Sequence, residues 1–336
     1  FQRSAWRYHE RAYRRILLDT GHVLGNLIAY APQEGFVPCP IGGFADNALN
    51  HLLLLEELKE AVLTVVALPQ TPVELEAHLE ETIHFQLDDS EENQVHPLLI
   101  QLHRASSMTQ AQHPEIPSGP AAAETPESLE EKYRLKEAVS LTGDTLDWPN
   151  GIGQTILMRR STRAYTGEGF SKEALASLLE YAYPDPPLSP PALFAPSVLE
   201  TYVIVQNIIG LEEGVYYYAP KNRELRLIYA GQFKNQTWHF SLGQDLGKDA
   251  AALVIHTAHL QNAMARHGNR AYRYLHLDAG HIGERINLAA IRLGLGVSGI
   301  GGFYDDEVNA LLGLPLDQII VYITTLGQPH VARRTS

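Results

Sequence analysis

The chain has 336 residues, 45% of them hydrophobic and 19% charged, and carries a formal net charge of −13. That length suits about two globular units with ample core. No apolar run reaches the roughly 18 residues that cross a bilayer, and the opening FQRSAWRYHERAYRR lacks a leader's apolar stretch, so the expectation is a cytoplasmic protein with no membrane partner.

Residues 71–150 hold 16 Asp and Glu against 4 Lys and Arg, a net of −12 that leaves only −1 for everything else and argues against a nucleic-acid partner. The one cysteine, Cys39, excludes an intrachain disulfide framework and a cysteine-based metal centre, and the 15 histidines show no metal-ligand spacing, so no metal is expected.

In chain order, residues 6–31 place apolar side chains at helical spacing, and AVLTVVAL at 61–68 reads as a strand stopped by Pro69. The acidic stretch 71–150 holds a helix around 91–105 and a Pro/Ala/Glu-rich linker, HPEIPSGPAAAETPESLEEK. Ser171 is placed to cap the helix KEALASLLEYAY, which stops before Pro184; the proline-dense DPPLSPPALFAPS must be an extended loop. Strands follow at 201–206, 214–219 and 225–229, with a turn at 220–223 between the last two; another covers 251–257 and leads into a long helix over 270–293. A last strand, IIVYITTL, covers 319–326. Strands and helices alternate without βαβ regularity, which points to the α+β class.

Two stretches repeat. RAYRRILLDTGHVLGNLIAYAPQEGFVPCPIGGF, 11–44, superimposes without a gap on RAYRYLHLDAGHIGERINLAAIRLGLGVSGIGGF, 270–303, at a constant shift of 259 positions. Each copy reads as a long helix, a glycine-containing turn, a short helix and a strand, on a scale that suits a duplicated domain. The expected organisation is therefore the back half of a first unit over 1–70, an acidic helical connector over 71–150, and a complete unit over 151–336. The front half of the first unit is missing from this sequence, as expected either of a fragment or of a unit that has lost its start.

Three constellations carry chemistry. Arg159-Arg160-Ser161-Thr162-Arg163 offers three guanidiniums and two hydroxyls, a donor set suited to a phosphate, and equally readable as a solvated basic turn. Residues 294–299 match G-x-G-x-x-G but follow a helix where a dinucleotide site needs a preceding strand, so that site is rejected. Both copies retain Ile-Gly-Gly-Phe, whose glycines either let a flat ligand approach the backbone or simply end a helix. Asp19-Thr-Gly21-His22 and Asp278-Ala-Gly280-His281 each set a histidine near an acid; mid-helix placement favours a hydrogen-bonded core histidine over a general base.

RRSTR, the proline loop before ETYVIV, GVYYY, RAYRYLHLDAGH and GLGVSGIGGFYDDEVNALLGL occur in an order that resembles the nitroreductase superfamily, and within it the SagB-type, azoline oxidase-like branch, in which tandem units occur. The resemblance spans 151–336 and, as a half-unit, 5–70. It implies a mainly antiparallel central sheet wrapped by helices, and a homodimer or an intrachain pseudo-dimer with FMN at the interface. By that resemblance Arg159, Arg160, Ser161 and Arg163 would hold the FMN phosphate and ring edge, with Arg333 and Arg334 adding contacts from the tail. Ile300, Gly301 and Gly302 would lie against the isoalloxazine. This sequence departs from the family at two places. Pro191-Ala192-Leu193-Phe194 is bulkier than the family's Pro-Ser-Ala-Gly-like loop. Arg266-His267 in the second copy and Arg7-Tyr8 in the first stand where azoline oxidases carry Lys-Tyr; Arg266 and His267 are the expected proton-handling pair. The implied activity is FMN-dependent oxidation of a small molecule or modified peptide. The alternatives are an NAD(P)H-dependent nitro or quinone reductase and a flavin-free scaffold.

Overall fold

The computed structural model describes residues 1–56, 59–71, 97–109, 131–184, 194, 199–315 and 317–330. The helices are α1 Gln2–Tyr8, α2 Ala12–Tyr30, α3 Asp46–Leu52, α4 Pro97–Ala105, α5 Ile152–Met158, α6 Lys172–Ala182, α7 Lys234–Phe240, α8 Asp245–Lys248, α9 Leu260–His267, α10 Ala271–Arg292 and α11 Asp305–Leu312. The strands are β1 Cys39–Ile41, β2 Val65–Ala67, β3 Ala138–Ser140, β4 Phe170–Ser171, β5 Leu199–Val205, β6 Ile208–Ile209, β7 Gly214–Ala219, β8 Glu224–Ala230, β9 Ala252–His259, β10 Gly296–Ile300 and β11 Gln318–Gly327.

Seven strands form one sheet in the order β10-β11-β9-β5-β7-β8-β3, and every neighbouring pair is antiparallel. β7, GVYYYA, is buried at every position, because helices cover one face of the sheet and α11 with the loops around it covers the other. The sheet's last strand, β3, comes from the acidic connector, so residues 138–140 join the second unit's sheet. The linker 113–130, residues 91–96 of the expected connector helix, and the proline loop apart from Phe194 lie outside the described residues. Ser171 caps α6 as its position suggested, accepting the Ala174 N–H at 3.2 Å.

The expected glycine turn after α10 is in part a strand. Gly294, at φ 72°, turns the chain out of the helix, and Gly296–Ile300 then pairs with β11, Ser298 opposite Thr325 and Ile300 opposite Ile323. In the first copy β1 pairs with β2, Cys39 opposite Ala67 and Ile41 opposite Val65. Small residues hid these strands: a side chain at 296 or 299 would collide with Thr162 or Tyr322, so packing excludes the branched residues that announce a strand.

α10 is buried almost all round, with α6 and β10 and β11 against it and α2 alongside. Residues 259 positions apart meet across the α2–α10 contact. The rings of Tyr13 and Tyr272 stack at 6.2 Å. A Cβ on Gly21 would lie 2.8 Å from the Gly280 Cα, and one on Gly25 would lie 2.7 Å from the Glu284 Cβ. Off the axis the contacts exchange partners: Arg14 bonds Asp305 at 2.7 Å, and Arg273 bonds Asp46 at 2.6 Å. Self-contact on an axis with reciprocal pairs beside it is the geometry of a twofold interface, here drawn within one chain.

The two reciprocal ion pairs are unequal. Asp46 and Arg273 are buried and tied into a network with Arg270, Tyr13, His103 and Ser106, which anchors α4 to the helix pair. Asp305 is partly exposed.

Candidate functional site

The Arg159–Arg163 stretch leaves α5 and runs beside the edge strand β10. The Thr162 N–H donates to the Val297 carbonyl at 2.8 Å, and the Thr162 hydroxyl accepts the Val297 N–H at 2.9 Å. Beyond it the Tyr165 hydroxyl donates to the Thr325 carbonyl at 2.9 Å, and the His330 N–H donates to the Ala164 carbonyl at 2.9 Å. The basic stretch is thereby pinned to the strand that ends in Ile300-Gly301-Gly302. Arg333 and Arg334 lie outside the described residues; the last described pairing, His330 with Ala164, brings the chain beside Arg163.

Arg160 and Arg163 are exposed and Ser161 is half-buried. Arg160 Nη1 donates to the carbonyls of Leu157 and Arg159, at 2.9 and 2.7 Å. Arg159 turns inward, its Nε 3.8 Å from Glu284 Oε1. The Ile300 side chain is buried in the core with Tyr165 and Phe303, so only its backbone can face the glycine surface.

Past β10, Cβ atoms built on Gly301 and Gly302 would meet the Arg15 side chain first, at 3.3 and 3.0 Å, with Leu242 3.3 Å from the second. Arg15 belongs to α2 of the first copy, and its guanidinium lies 3.9 Å over the Tyr8 ring. Burial lowers its pKa, while Tyr8 and Asp19 pull the other way. Asp19, one turn on, is raised by desolvation and held down by His22 and Arg15.

The opposite side of the helix pair carries the matching positions, two of the three with different residues. Arg15 is matched by Tyr274, Tyr8 by His267 and Asp19 by Asp278. A Cβ on Gly42 would lie 2.8 Å from both Phe194 and Tyr274, whose rings stack at 5.4 Å, and the Phe194 N–H donates to both Asp278 oxygens at 3.1 and 3.2 Å. His267 packs edge-on against Tyr274 at 5.6 Å, its pKa lowered first by burial and then by Arg266. The first copy's glycine face is filled by aromatic rings, and the second copy's is covered by a long, flexible arginine with Leu242 at its edge.

The twofold contact decides where two of the expected features stand. His267, next to Arg266 in the chain, stands on the Gly42 side against Tyr274, whereas Gly301 is faced by Arg15, because a twofold contact sets each glycine pair against the other copy's helix. Phe194, the bulky residue of the proline loop, packs against Gly42 for the same reason. The histidine pair also divides. His281 is a core residue, as its mid-helix position suggested, yet among the described residues neither ring nitrogen has a hydrogen-bond partner. Burial pushes its pKa down to about 3. His22 is bonded on both nitrogens, to Glu284 at 2.6 Å and Tyr322 at 2.9 Å. Sequence reasoning passed over Arg15, Glu284 and Tyr322. The repeat held a pointer to two of them, since Arg15 faces Tyr274 and Gly25 faces Glu284 in the alignment, both sharp departures inside an otherwise matching helix.

A family model described as "Nitroreductase family" matches residues 1–68 and 156–328. A nitroreductase homologue of Methanocaldococcus jannaschii is 30% identical over 165 residues, 48% of this chain and 83% of that protein. A nitroreductase homologue of Anabaena variabilis, known by its crystal structure, is 40% identical with a TM-score of 0.80, over 98% of this chain and 68% of that one. The Escherichia coli microcin synthetase McbBCD complex, with truncated pro-MccB17 bound, aligns with 70% of this chain and 93% of its own matched chain, at 18% identity and a TM-score of 0.45, a level that bears on neither fold nor function.

Proposed function

From the membership of this chain in the nitroreductase family, we propose that it is an FMN-dependent oxidoreductase of the SagB type, with one flavin site per chain. The observation that carries the reading is the pinning of the Arg159–Arg163 stretch to β10, the strand that leads directly into Gly301-Gly302. The residues fit such a cofactor. Arg159, Arg163 and the Ser161 hydroxyl suit a phosphate, with Arg160 beside them. The glycine face is open to a flat ring once the flexible Arg15 side chain moves aside. Bound there, FMN would supply two-electron chemistry.

The chain's own residues bind, orient and neutralise. Arg15, from the first copy, holds a cation against the glycine face and is itself braced on the Tyr8 ring, where a planar substrate or a modified peptide residue could stack. The Gly42 side does not fit a flavin, since Phe194 and Tyr274 occupy it. One copy thus serves as the partner wall for the other, and Arg266 with His267 would act away from the ring, as residues that support Tyr274.

The test is the visible spectrum of the purified full chain before and after incubation with FMN, followed by the double variant Arg159→Ala with Ser161→Ala. Yellow protein with releasable FMN, lost in the double variant, supports the reading. Colourless protein that rejects FMN supports a scaffold, and a double variant with full occupancy overturns the assignment of the phosphate clamp.

A further inference from the structure

His22 and His281 occupy matching positions in the two copies and live in opposite circumstances. Around His22, Glu284 Oε2 lies 2.6 Å from Nδ1, the Tyr322 hydroxyl lies 2.9 Å from Nε2, and the Asn287 amide braces Glu284 Oε2 at 3.2 Å. On the opposite side of the helix pair the position matching Glu284 is Gly25, and the position matching Tyr322 in the strand is Thr64, whose hydroxyl, like both nitrogens of His281, has no hydrogen-bond partner among the described residues. A purely structural histidine would need the same surroundings twice. The assembled set stands only beside the copy that owns the basic stretch and the open glycine face.

Its order, carboxylate, imidazole, hydroxyl, is that of a relay. Glu284 accepts Nδ1–H, which fixes the tautomer and turns the Nε2 lone pair toward the phenol. The phenol oxygen lies hard against Gly299, an exposed residue one position before Ile300: a Cβ there would sit 1.8 Å from it. Glycine at 299 is therefore what lets the hydroxyl stand next to the ligand face, and the first copy has Pro40 at that position.

We propose that Glu284, His22 and Tyr322 form a proton relay serving the molecule bound on the Gly299–Gly302 face, with Tyr322 as the contacting group and His22 and Glu284 as positioning residues. This rests on the flavin reading above for the identity of the reaction it serves. The step moves one proton and no electrons. An acidic N–H, O–H or C–H of the bound molecule gives its proton to the phenol oxygen as the phenol's own proton passes to His22 Nε2, and the resulting imidazolium rests against Glu284; the reverse delivers a proton. The groups that face the relay are Arg15 and Asp19 on α2, His281 and Asn287 on α10, and Arg159 from the basic stretch. Burial raises the Tyr322 pKa first, the carboxylates of Asp19 and Glu284 raise it further, and Arg159 and Arg15 oppose them. The phenol thus stays protonated near neutrality and cannot act without His22 taking its proton.

Two measurements on the full chain test this. The first is the tautomer of His22 by nitrogen-15 NMR on flavin-free protein, assigned by His22→Asn. The relay requires the Nδ1–H form, with a downfield Nδ1 proton that Glu284→Gln abolishes; an Nε2–H tautomer, or no response to Glu284→Gln, overturns it. The second is reoxidation of the photoreduced, FMN-loaded protein by menadione, which needs protons, in H2O and in D2O. Tyr322→Phe keeps the ring and its packing, and should retain FMN while slowing reoxidation about a hundredfold and removing the solvent isotope effect. Gly299→Ala, which displaces the phenol, should do the same. Tyr322→Phe with an unchanged rate and pH profile overturns the relay. A chain that refuses FMN refutes the flavin reading, while the tautomer measurement still decides the relay.

Discussion

The sharpest mechanical test of the helix pair is Gly280→Ala. The added Cβ would lie 2.3 Å from the Leu18 carbonyl oxygen and 3.0 Å from the Gly21 Cα, all backbone atoms of a helix that cannot rotate away. An ordinary contact of about 3.4 Å needs the helices to part by about 1 Å, which opens gaps around Leu17, Leu277 and Tyr13. Overpacking of this kind costs about 1–3 kcal/mol, and the alanine returns up to about 1 kcal/mol of helix propensity. The expected net loss is about 2 kcal/mol, read as a drop in the urea midpoint with unchanged slope, or as a fall of about 4 °C or more in Tm. Gly153→Ala is the control. Its Cβ would meet only the Tyr30 ring, at 2.9 Å, and that side chain is exposed enough to swing aside, so helix propensity should dominate and stability should hold or rise. Gly280→Ala as stable as the parent chain would refute the reasoning that backbone contact at this crossing holds the two copies together.

Other outcomes follow from the same structure. Asp46→Asn should cost about 3–5 kcal/mol, because it strands two buried guanidiniums, whereas Asp305→Asn, at a carboxylate 39% exposed, should cost no more than about 1 kcal/mol; chemical denaturation of the two variants compares them directly. Phe194→Ala should destabilise by about 3 kcal/mol and leave FMN content unchanged, since it empties the Gly42 side alone; lost flavin would contradict the division into a filled and an open side. Stability should also fall on acidification. His103, His276 and His281 are pushed down to about 3 and His256 to about 4, so the unfolded chain, titrating near 6.5, binds protons that the folded chain refuses. The stabilisation is present above about 6.5 and declines toward pH 3–4 at up to about 1.4 kcal/mol per pH unit for each histidine. Melting curves from pH 7 to 4.5 check this, and a flat profile would show that those rings charge without unfolding.

The strands of the central sheet and the long repeat helices were legible because their apolar spacing reports burial directly. Gly296–Ile300 was not, since its side chains are trimmed to admit Tyr322, Thr162 and Tyr165, and a strand made of such residues has no periodicity to read. The acidic count over 71–150 concealed that residues 138–140 complete the sheet, because strand pairing is a property of the partner backbone and leaves little trace in three residues.

For this protein the order of residues alone carried the repeat, the basic stretch, the retained glycine pair and the resemblance to the family. What the tertiary structure alone decided was which copy serves which. A constant shift of 259 positions states that two helices are alike, but only their side-by-side packing sets Gly301 against Arg15 and Gly42 against Tyr274 and Phe194. Only that packing brings Glu284 from one copy to His22 from the other. The physical reason is that a twofold contact joins residues hundreds of positions apart. Pairings across it leave no spacing in the chain, and a single substitution on either side, arginine for tyrosine or glutamate for glycine, makes one side open and the other closed.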